Sequence, residues 1–367
     1  MRLPFDKEKL LLIGILLLAL VLRTYNFGEL SLGNDELSVL ARVQYDSFGE
    51  LIEKGVKADV HPAGIQVFAY YWTGIFGESA LALRFPFICF GLLGILGIYF
   101  LGKKWFGIKA AAFSAVFMAA SQYFIVLGVY ARPYAVVLAA SSWMVYCWHF
   151  MLFEKPKLIH AIGMVLGASI CLYFHYFSYL LVGIVLLLGI MILRREKEKR
   201  KPYLLSLGAI AILYLPHLGI FLHHVAMGGS EWIGKPSWTF IYQYFFYSIQ
   251  FSGITAFIFF ILGITFFRKL NLRPRRDDPK IKFRTLSFLF FLFPFLFGFL
   301  YSVYRAPVIH LNGLQASFPY LLLWFFSFIP KINDEIKTYG IKLNTYYFLI
   351  MTLLLLYELI EGRKHFD

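Results

Sequence analysis

Two adjacent carboxylates, Asp35 and Glu36, follow the turn-forming pair Gly33-Asn34 and begin an amphipathic segment. A carboxylate in this position could act as a general base toward a hydroxyl group or bind a divalent cation. Acidic side chains also favour helix N-termini, so capping is an equally good explanation for one of the two. The pair is the candidate catalytic site.

Arg132 lies between two long apolar stretches and close to two tyrosines, Tyr130 and Tyr134. Pro133 interrupts the backbone there, which predicts a turn. A guanidinium in such a turn suits bidentate binding of a phosphate. The alternative is an arginine within an interfacial aromatic belt. Arg132 and Tyr134 are therefore candidates for phosphate binding, and Arg305, which follows Tyr304 in a similar setting, is a weaker one.

Three further polar residues are assigned to positioning of a loop or of the substrate. His61 precedes Pro62 where a polar stretch returns to apolar sequence. His175 and Tyr176 lie within Tyr-Phe-His-Tyr-Phe at 173–177, for which an aromatic belt with a polar tip is the more economical interpretation. The pair His223-His224 is a weak metal signal, because adjacent histidines on a helix point apart.

The composition assigns the chain to a broad class. Of 367 residues, 60% are apolar, 72 are aromatic and only 15% are charged, against about 25% in soluble domains. This excludes a cytosolic enzyme, a disordered chain and a disulfide-built secreted module, and predicts an all-α polytopic membrane protein. Cys89, Cys147 and Cys171 lie in apolar stretches and are expected to be packing residues.

After a first apolar run at 10–22, ten further runs of about 17–22 residues match the length that a hydrocarbon core of about 30 Å requires. We predict eleven spans, at 10–22, 80–101, 109–128, 133–152, 158–174, 176–193, 203–222, 250–267, 285–303, 314–330 and 344–360. The stretch 63–77 is short and rich in Tyr and Trp. We interpret it as an interfacial or re-entrant helix, because counting it as a span would reverse the side of every later loop.

The charges fix the predicted orientation. With eleven spans, the N-terminal side holds 25 Lys and Arg against 9 Asp and Glu, and the other side holds 10 against 12. The positive-inside rule then places the N-terminus in the cytoplasm and the candidate residues on the periplasmic face. It also explains the net charge of +14 as topogenic, so no nucleic-acid partner is expected. The alternative explanation of the candidate residues on this face is that they are boundary side chains that extend to water.

Several segments, in this order and spacing, resemble integral-membrane GT-C glycosyltransferases, in particular the protein O-mannosyltransferases and the lipid A aminoarabinose transferases. The matching segments are Asp35-Glu36, His61-Pro62-Ala63-Gly64, and residues 76–86, 91–107 and 121–134. Ala63-Gly64 departs from the family's Pro-Leu. The sequence has no P-loop, serine-hydrolase elbow or His-Glu-x-x-His helix.

The resemblance implies one GT-C transmembrane domain over 1–367. Its parts are a first span at 1–27, a periplasmic loop at 28–79 and the remaining spans at 80–360. In contrast to some relatives, the chain is expected to have no large C-terminal soluble domain, so recognition of the acceptor has no counterpart of that domain. The resemblance further implies an inverting transferase in a bacterial-type inner membrane. The donor would be a polyprenyl-phosphate sugar and the acceptor a hydroxyl of a protein, lipid or glycan. Asp35 would be the general base, Arg132 would bind the donor phosphate, and Glu36 and His61 would orient the base and the loop. No cofactor is certain.

A transporter or flippase for lipid-linked saccharides is the alternative, since it would also need aromatic grooves and basic residues. Transporters commonly contain internal repeats and polar residues near the bilayer midplane. The sequence shows no convincing repeat, and its polar residues gather at one face. A polymerase or ligase of surface polysaccharide is a third hypothesis, which the modest outer loop at 223–249 does not favour.

Overall fold

A computed structural model describes residues 5–25, 30–228, 233–249, 252–269, 279–329, 337–338 and 341–342. Within these ranges the fold is helical apart from one antiparallel pair of two-residue strands, β1 and β2. The α-helices are α1 Phe5–Thr24, α2 Asn34–Ala41, α3 Phe48–Glu50, α4 Gly64–Phe76, α5 Ala80–Phe106, α6 Ile108–Ala120, α7 Gln122–Val129, α8 Pro133–Phe153, α9 Leu158–Phe174, α10 Ser178–Ile192, α11 Lys197–Met227, α12 Phe240–Ser248, α13 Gly253–Lys269, α14 Pro279–Tyr304 and α15 Phe318–Phe326. The strands are Lys337–Thr338 and Ile341–Lys342.

The helices confirm the all-α membrane class. Four helices of the described part are long and apolar enough to cross a membrane, namely α5, α8, α11 and the part of α14 from Lys280. The number becomes six if the bent pairs α6–α7 and α12–α13 each count as one span. The predicted spans at 133–152, 158–174 and 176–193 agree with α8, α9 and α10 within two residues. The predicted span at 344–360 lies outside the described residues, so eleven spans remain a prediction.

The predicted straight span at 109–128 is bent by 62° between α6 and α7. Ser121 has extended backbone angles and ends α6. The buried guanidinium of Arg23 lies against this break and donates to the carbonyl oxygens of Met118, Ala119 and Phe124 at 3.0–3.1 Å. Carbonyls at the end of a helix lack partners within the helix, and the arginine supplies them.

The segment 63–77 forms α4, a helix of 13 residues. At 1.5 Å per residue it is about 20 Å long, too short to cross a core of about 30 Å. Between α2 and α4 the chain makes the short helix α3 and a π-helical turn, Leu51–Val56. The described residues between α1 and α5 therefore form a series of short helices.

Helix α8 is the centre of the fold. It packs along α5 and α9, and most of its residues are buried. Its first residue, Pro133, directly follows Arg132, and Pro is well tolerated at a first helical position because no N–H is needed there. By contrast, α11 has 31 residues, a length of about 46 Å, and is largely exposed. The candidate phosphate-binding arginine thus immediately precedes a well-packed helix.

Candidate active site

Glu36 is completely buried and forms a two-point ion pair with Arg84 at the beginning of α5. Arg84 Nε and Nη2 donate to the two carboxylate oxygens at 2.8 and 2.7 Å. The same carboxylate accepts hydrogen bonds from the backbone N–H groups of Gly33 at 3.0 Å and Ala131 at 3.2 Å. Glu36 therefore fastens the start of α2 to α5 and to the turn before Arg132. With its oxygens so occupied, it is placed to position neighbouring groups.

Arg84 extends this fastening to the incoming chain. Its Nη1 and Nη2 atoms donate to the carbonyl oxygens of Leu30 and Ser31, each at 2.9 Å. Only 2% of the side chain is exposed, so the charge has no access to water. Sequence reasoning missed Arg84 as a site residue. The signal was a cation in an apolar stretch, for which a buried partner is the default expectation.

Asp35 has the opposite environment. Its side chain is 60% exposed, and Oδ2 lies 3.9 Å from Nε of the buried Arg132. This separation is an electrostatic contact, too long for a hydrogen bond. Arg132 Nε has no hydrogen-bond partner among the described residues. The pair therefore offers an accessible carboxylate and an unused buried donor side by side.

His61 and Arg132 lie in one hydrogen-bonded line. Arg132 Nη2 donates to His61 Nε2 at 3.0 Å, and His61 Nδ1 lies 3.3 Å from Asp59. Because arginine can only donate, this geometry assigns a neutral imidazole with its proton on Nδ1. Asp59 also accepts from the Val60 N–H at 2.8 Å. His61 thus connects Arg132 to a buried carboxylate, which agrees with a positioning role.

Asp59 is a further site residue that sequence reasoning did not identify. Its carboxylate accepts a hydrogen bond from Gln66 and lies 3.9 Å from Arg42 Nη2. Burial would raise the pKa of Asp59, but the hydrogen bond from His61 and the charge of Arg42 outweigh it and lower the pKa to about 2. Asp59 is therefore charged at neutral pH. Its position two residues before His61-Pro62 was the only sequence signal.

A cavity of about 580 Å³, here called the α14 cavity, lies beside His61. It is enclosed by the beginning of α10, the end of α11, the end of α14 and the loops at 60–62 and 306–310. The predicted residues that line it are His61, His175, Tyr176 and Arg305. No acidic side chain lines it among the described residues, so Arg305 gives the cavity a positive charge. The structure thus brings Arg305 to the same side as the His61–Arg132 line.

The imidazoles of His61, His175 and His310 line this cavity, and the ring of Tyr134 packs against the last two. The ring of His175 lies 6.3 Å from that of His61, 5.7 Å from Tyr134 and 6.0 Å from His310. Burial, and after it the positive charge of Arg132, lowers the pKa of His175 well below its usual value and the pKa of His310 to about 4. Both rings are neutral at neutral pH, so the arginines carry the positive charge.

Three histidines of α11 hold the backbone that leads to His61. His224 Nε2 and His223 Nε2 contact the carbonyl oxygens of Val56 and Lys57 at 3.1 and 3.2 Å. His217 Nε2 accepts from the Ala63 N–H at 3.1 Å. These bonds explain the histidines as supports of the loop. Tyr176 joins this support, with its hydroxyl 2.5 Å from His224 Nδ1.

A second cavity, here called the α4 cavity, has a volume of about 1180 Å³ and lies between α4, the end of α9 and α11. Its lining is largely apolar, and its aromatic residues include Phe68, Trp72, Tyr173 and Phe174. The chain from His61 to Gly64 separates the two cavities, because His61 and Pro62 line the α14 cavity while Ala63 and Gly64 line the α4 cavity.

The divalent cation considered from the sequence remains a prediction. Within the described ranges, no group of three or more His, Cys, Asp or Glu side chains is close enough to hold a metal ion. Glu36 is engaged by Arg84 instead. Asp35 is left as the accessible carboxylate of the pair.

Comparison with known proteins identifies the fold. Residues 60–220 match the dolichyl-phosphate-mannose-protein mannosyltransferase family. The crystal structure of ArnT from Cupriavidus metallidurans bound to undecaprenyl phosphate is similar, with a TM-score of 0.60 and 16% identity, over 92% of this chain and 63% of that one. The chain has the GT-C fold.

ArnT from the same organism in the apo state has a TM-score of 0.59 and 16% identity, over 88% of this chain and 60% of that one. The GT-C chain described here thus spans less than two thirds of the length of these ArnT structures. None of the proteins with curated descriptions matches its sequence. The resemblance to GT-C glycosyltransferases predicted from the sequence is confirmed.

Proposed function

We propose that the chain is a glycosyltransferase that moves a sugar from a polyprenyl-phosphate donor to a hydroxyl acceptor at the outer, periplasmic face of the membrane. The observation that carries the proposal is the accessible Asp35 carboxylate 3.9 Å from the buried Arg132, whose other end bonds to His61 at the wall of the α14 cavity. The GT-C fold and the mannosyltransferase family match at 60–220 support it.

In this proposal, Asp35 accepts the proton of the acceptor hydroxyl. The hydroxyl oxygen then forms a bond to the anomeric carbon while the bond from that carbon to the phosphate oxygen breaks, with inversion. The polyprenyl phosphate leaves with the bonding electrons as a monoester. Arg132, through its unused Nε, offsets the charge that develops on the leaving oxygen, and Arg305 binds the phosphate of the donor. Glu36 and Arg84 keep Asp35 and Arg132 in register.

Binding of undecaprenyl phosphate is recorded for ArnT from Cupriavidus metallidurans. For this chain, the same class of carrier is part of the proposal. A phosphate monoester matches the positive charge of the α14 cavity, and exposed Phe297 and Tyr301 of α14, which also line that cavity, would contact the polyprenyl chain. Tyr134, which contacts His175 and His310, would shape the sugar end.

The test uses the full chain in lipid with a radiolabelled polyprenyl-phosphate hexose and a membrane extract as acceptor. Asp35→Asn is expected to lower turnover by about 10²–10⁴-fold with donor binding retained. Arg132→Ala is expected to lower it by about 10²–10³-fold. Asp46→Asn, which changes an exposed carboxylate of the same loop, is the matched control and should leave turnover unchanged. Donor movement between leaflets without transfer by any form would instead support the transporter.

A further inference from the structure

His175 lies between the end of α9 and the beginning of α10, and it lines the α14 cavity. Its Nδ1 accepts a hydrogen bond from the backbone N–H of Phe177 at 3.2 Å. Because a neutral imidazole carries a single proton, this bond places the proton of His175 on Nε2. The ring is neutral at neutral pH, so Nε2–H is an uncharged donor.

The Nε2–H group of His175 is open to the cavity. Within the described ranges it makes no hydrogen bond, and Nε2 is not one of the enclosed polar atoms that lack a partner there. The atom can therefore be reached from the α14 cavity, although the residue as a whole is only 6% exposed. Buried polar groups in folded proteins nearly always have a partner, so this donor indicates a ligand in the cavity.

Neighbouring polar groups of the cavity are already engaged. His61 and His224 have both ring nitrogens in hydrogen bonds. The Tyr176 hydroxyl donates to His224, because the other nitrogen of that ring donates to a backbone carbonyl. Among the described lining residues, Arg305 alone carries a charge. His175 and Arg305 thus present donors with no carboxylate to compete for them, which suits an anion with several acceptor oxygens, such as a phosphate.

His175 also lies close to the residues that the proposed reaction uses. Its ring is 6.3 Å from that of His61, whose Nε2 accepts from Arg132 at 3.0 Å. Arg132 is not part of the cavity lining, and His61 joins the two. A phosphate bound to His175 would therefore lie on the cavity side of the His61–Arg132 line.

We infer that the Nε2–H group of His175 donates a hydrogen bond to the phosphate of the polyprenyl-phosphate donor and keeps that bond as the phosphate leaves. The inference rests on the proposed function for the reaction, whereas the phosphate site itself stands on the cavity, its donors and the fixed tautomer of His175.

The charge of the phosphate changes during the reaction. When the bond from the anomeric carbon to the phosphate oxygen breaks, the electron pair stays on that oxygen. A singly charged phosphodiester then becomes a monoester with a charge of about −1.5 to −2 at neutral pH. The proton of His175 stays on Nε2, because Asp35 takes the proton of the acceptor hydroxyl. Hydrogen bonds to ionised groups are the stronger ones, so His175 favours the leaving group over the intact donor.

Two substitutions separate this hydrogen bond from the packing of the ring. Gln and Met have similar length and volume, and both remove the acceptor of the Phe177 N–H. His175→Gln keeps an N–H donor near the position of Nε2, and His175→Met removes it. Since each variant leaves the Phe177 N–H without this partner, the two should have equal melting temperatures, below that of wild type.

The experiment uses the full chain in nanodiscs and measures the affinity for a polyprenyl phosphate, the corresponding polyprenol and inorganic phosphate. We expect His175→Met to weaken binding of polyprenyl phosphate by about 10–100-fold and His175→Gln by less than about threefold, with polyprenol binding unchanged in both. Equal losses in the two variants would overturn the assignment, because a purely structural role affects both alike. Inorganic phosphate that binds wild type as tightly as polyprenyl phosphate would overturn the lipid carrier as the ligand.

A transfer assay separates this inference from the proposed function. If His175→Met weakens binding as expected and no form transfers hexose, the phosphate site stands and the transferase proposal fails. If wild type and both variants transfer hexose at the same rate, the transferase proposal stands and the role of His175 is wrong.

Discussion

Asp35 and Glu36 are neighbours in the sequence, but the structure predicts opposite consequences when each loses its charge. Glu36→Gln keeps the shape of the side chain and removes the negative charge that faces Arg84 at 2.7 Å. The guanidinium is 2% exposed and would be left as an uncompensated buried charge. Breaking a buried pair in this way typically costs about 3–5 kcal/mol, which is about 10²–10³-fold or more in the folding equilibrium.

Asp35→Asn changes a side chain that is 60% exposed and that comes no closer to Arg132 than 3.9 Å. Exposed substitutions of this kind are usually within about 0.5 kcal/mol of neutral, so stability should be unchanged while transfer is lost. The assay is thermal or denaturant unfolding of both variants in the same lipid, next to the transfer assay. Glu36→Gln combined with Arg84→Met, which removes both charges, should recover part of the stability.

The reasoning would be refuted by two results. One is a Glu36→Gln protein as stable as wild type, since the buried pair would then not hold the loop. The other concerns the double variant. If Glu36→Gln and Arg84→Met each lower the stability, and the double variant loses the sum of the two amounts, the second result is obtained. Additive losses of that kind would mean that the two side chains do not interact.

Three further predictions follow from single residues. The folded-state pKa of Asp59 is about 2 against a reference of 3.8, so its contribution to stability is fully present above about pH 4 and is lost as the pH falls toward 2. In Asp59→Asn the stability should therefore fall less steeply as the pH is lowered through this range. An unchanged acid limb would contradict the assignment. Arg305→Gln should raise the KM for the donor by about tenfold or more with a smaller change in kcat, because an exposed cation at the α14 cavity acts mainly in binding. An unaltered KM would show that Arg305 does not belong to the site. Arg23→Lys should lower the melting temperature, because an ammonium has three donors for the four carbonyl oxygens that Arg23 contacts. We expect the free energy of unfolding to fall by about 1–3 kcal/mol. An unaltered melting temperature would show that packing alone holds the α6–α7 bend.

Much of the candidate site could be predicted from the sequence motifs and their order. Asp35, His61 and Arg132 were each selected because an ionisable side chain stands at a predicted turn or at the edge of an apolar stretch. The structure brings these three together, with contacts of 3.9 Å and 3.0 Å along the line. What the sequence did not reveal is the work of each. Asp35 and Glu36 have the same chemistry and adjacent positions, so only burial separates an accessible carboxylate from a locked one.

Residues that act through a partner far along the chain were missed. Arg84 is 48 residues from Glu36. In the sequence Asp59 resembles any acidic loop residue, and only the structure shows that it is surrounded by His61, Gln66 and Arg42. Sequence spacing encodes contacts within one helix or turn, where neighbours recur every three or four residues. It carries no such signal for a pair that meets only when two helices pack.

The sequence by itself determined the membrane class, the helical fold and the segments that resemble GT-C glycosyltransferases, because composition and runs of apolar residues are local and additive. The tertiary structure decided the bend of α6–α7 at Ser121, the division of roles between Asp35 and Glu36, and the two cavities on either side of residues 61–64. Each of these depends on which surfaces of distant helices meet. A cavity exists only between packed elements, and its charge is the sum of side chains that the sequence keeps far apart.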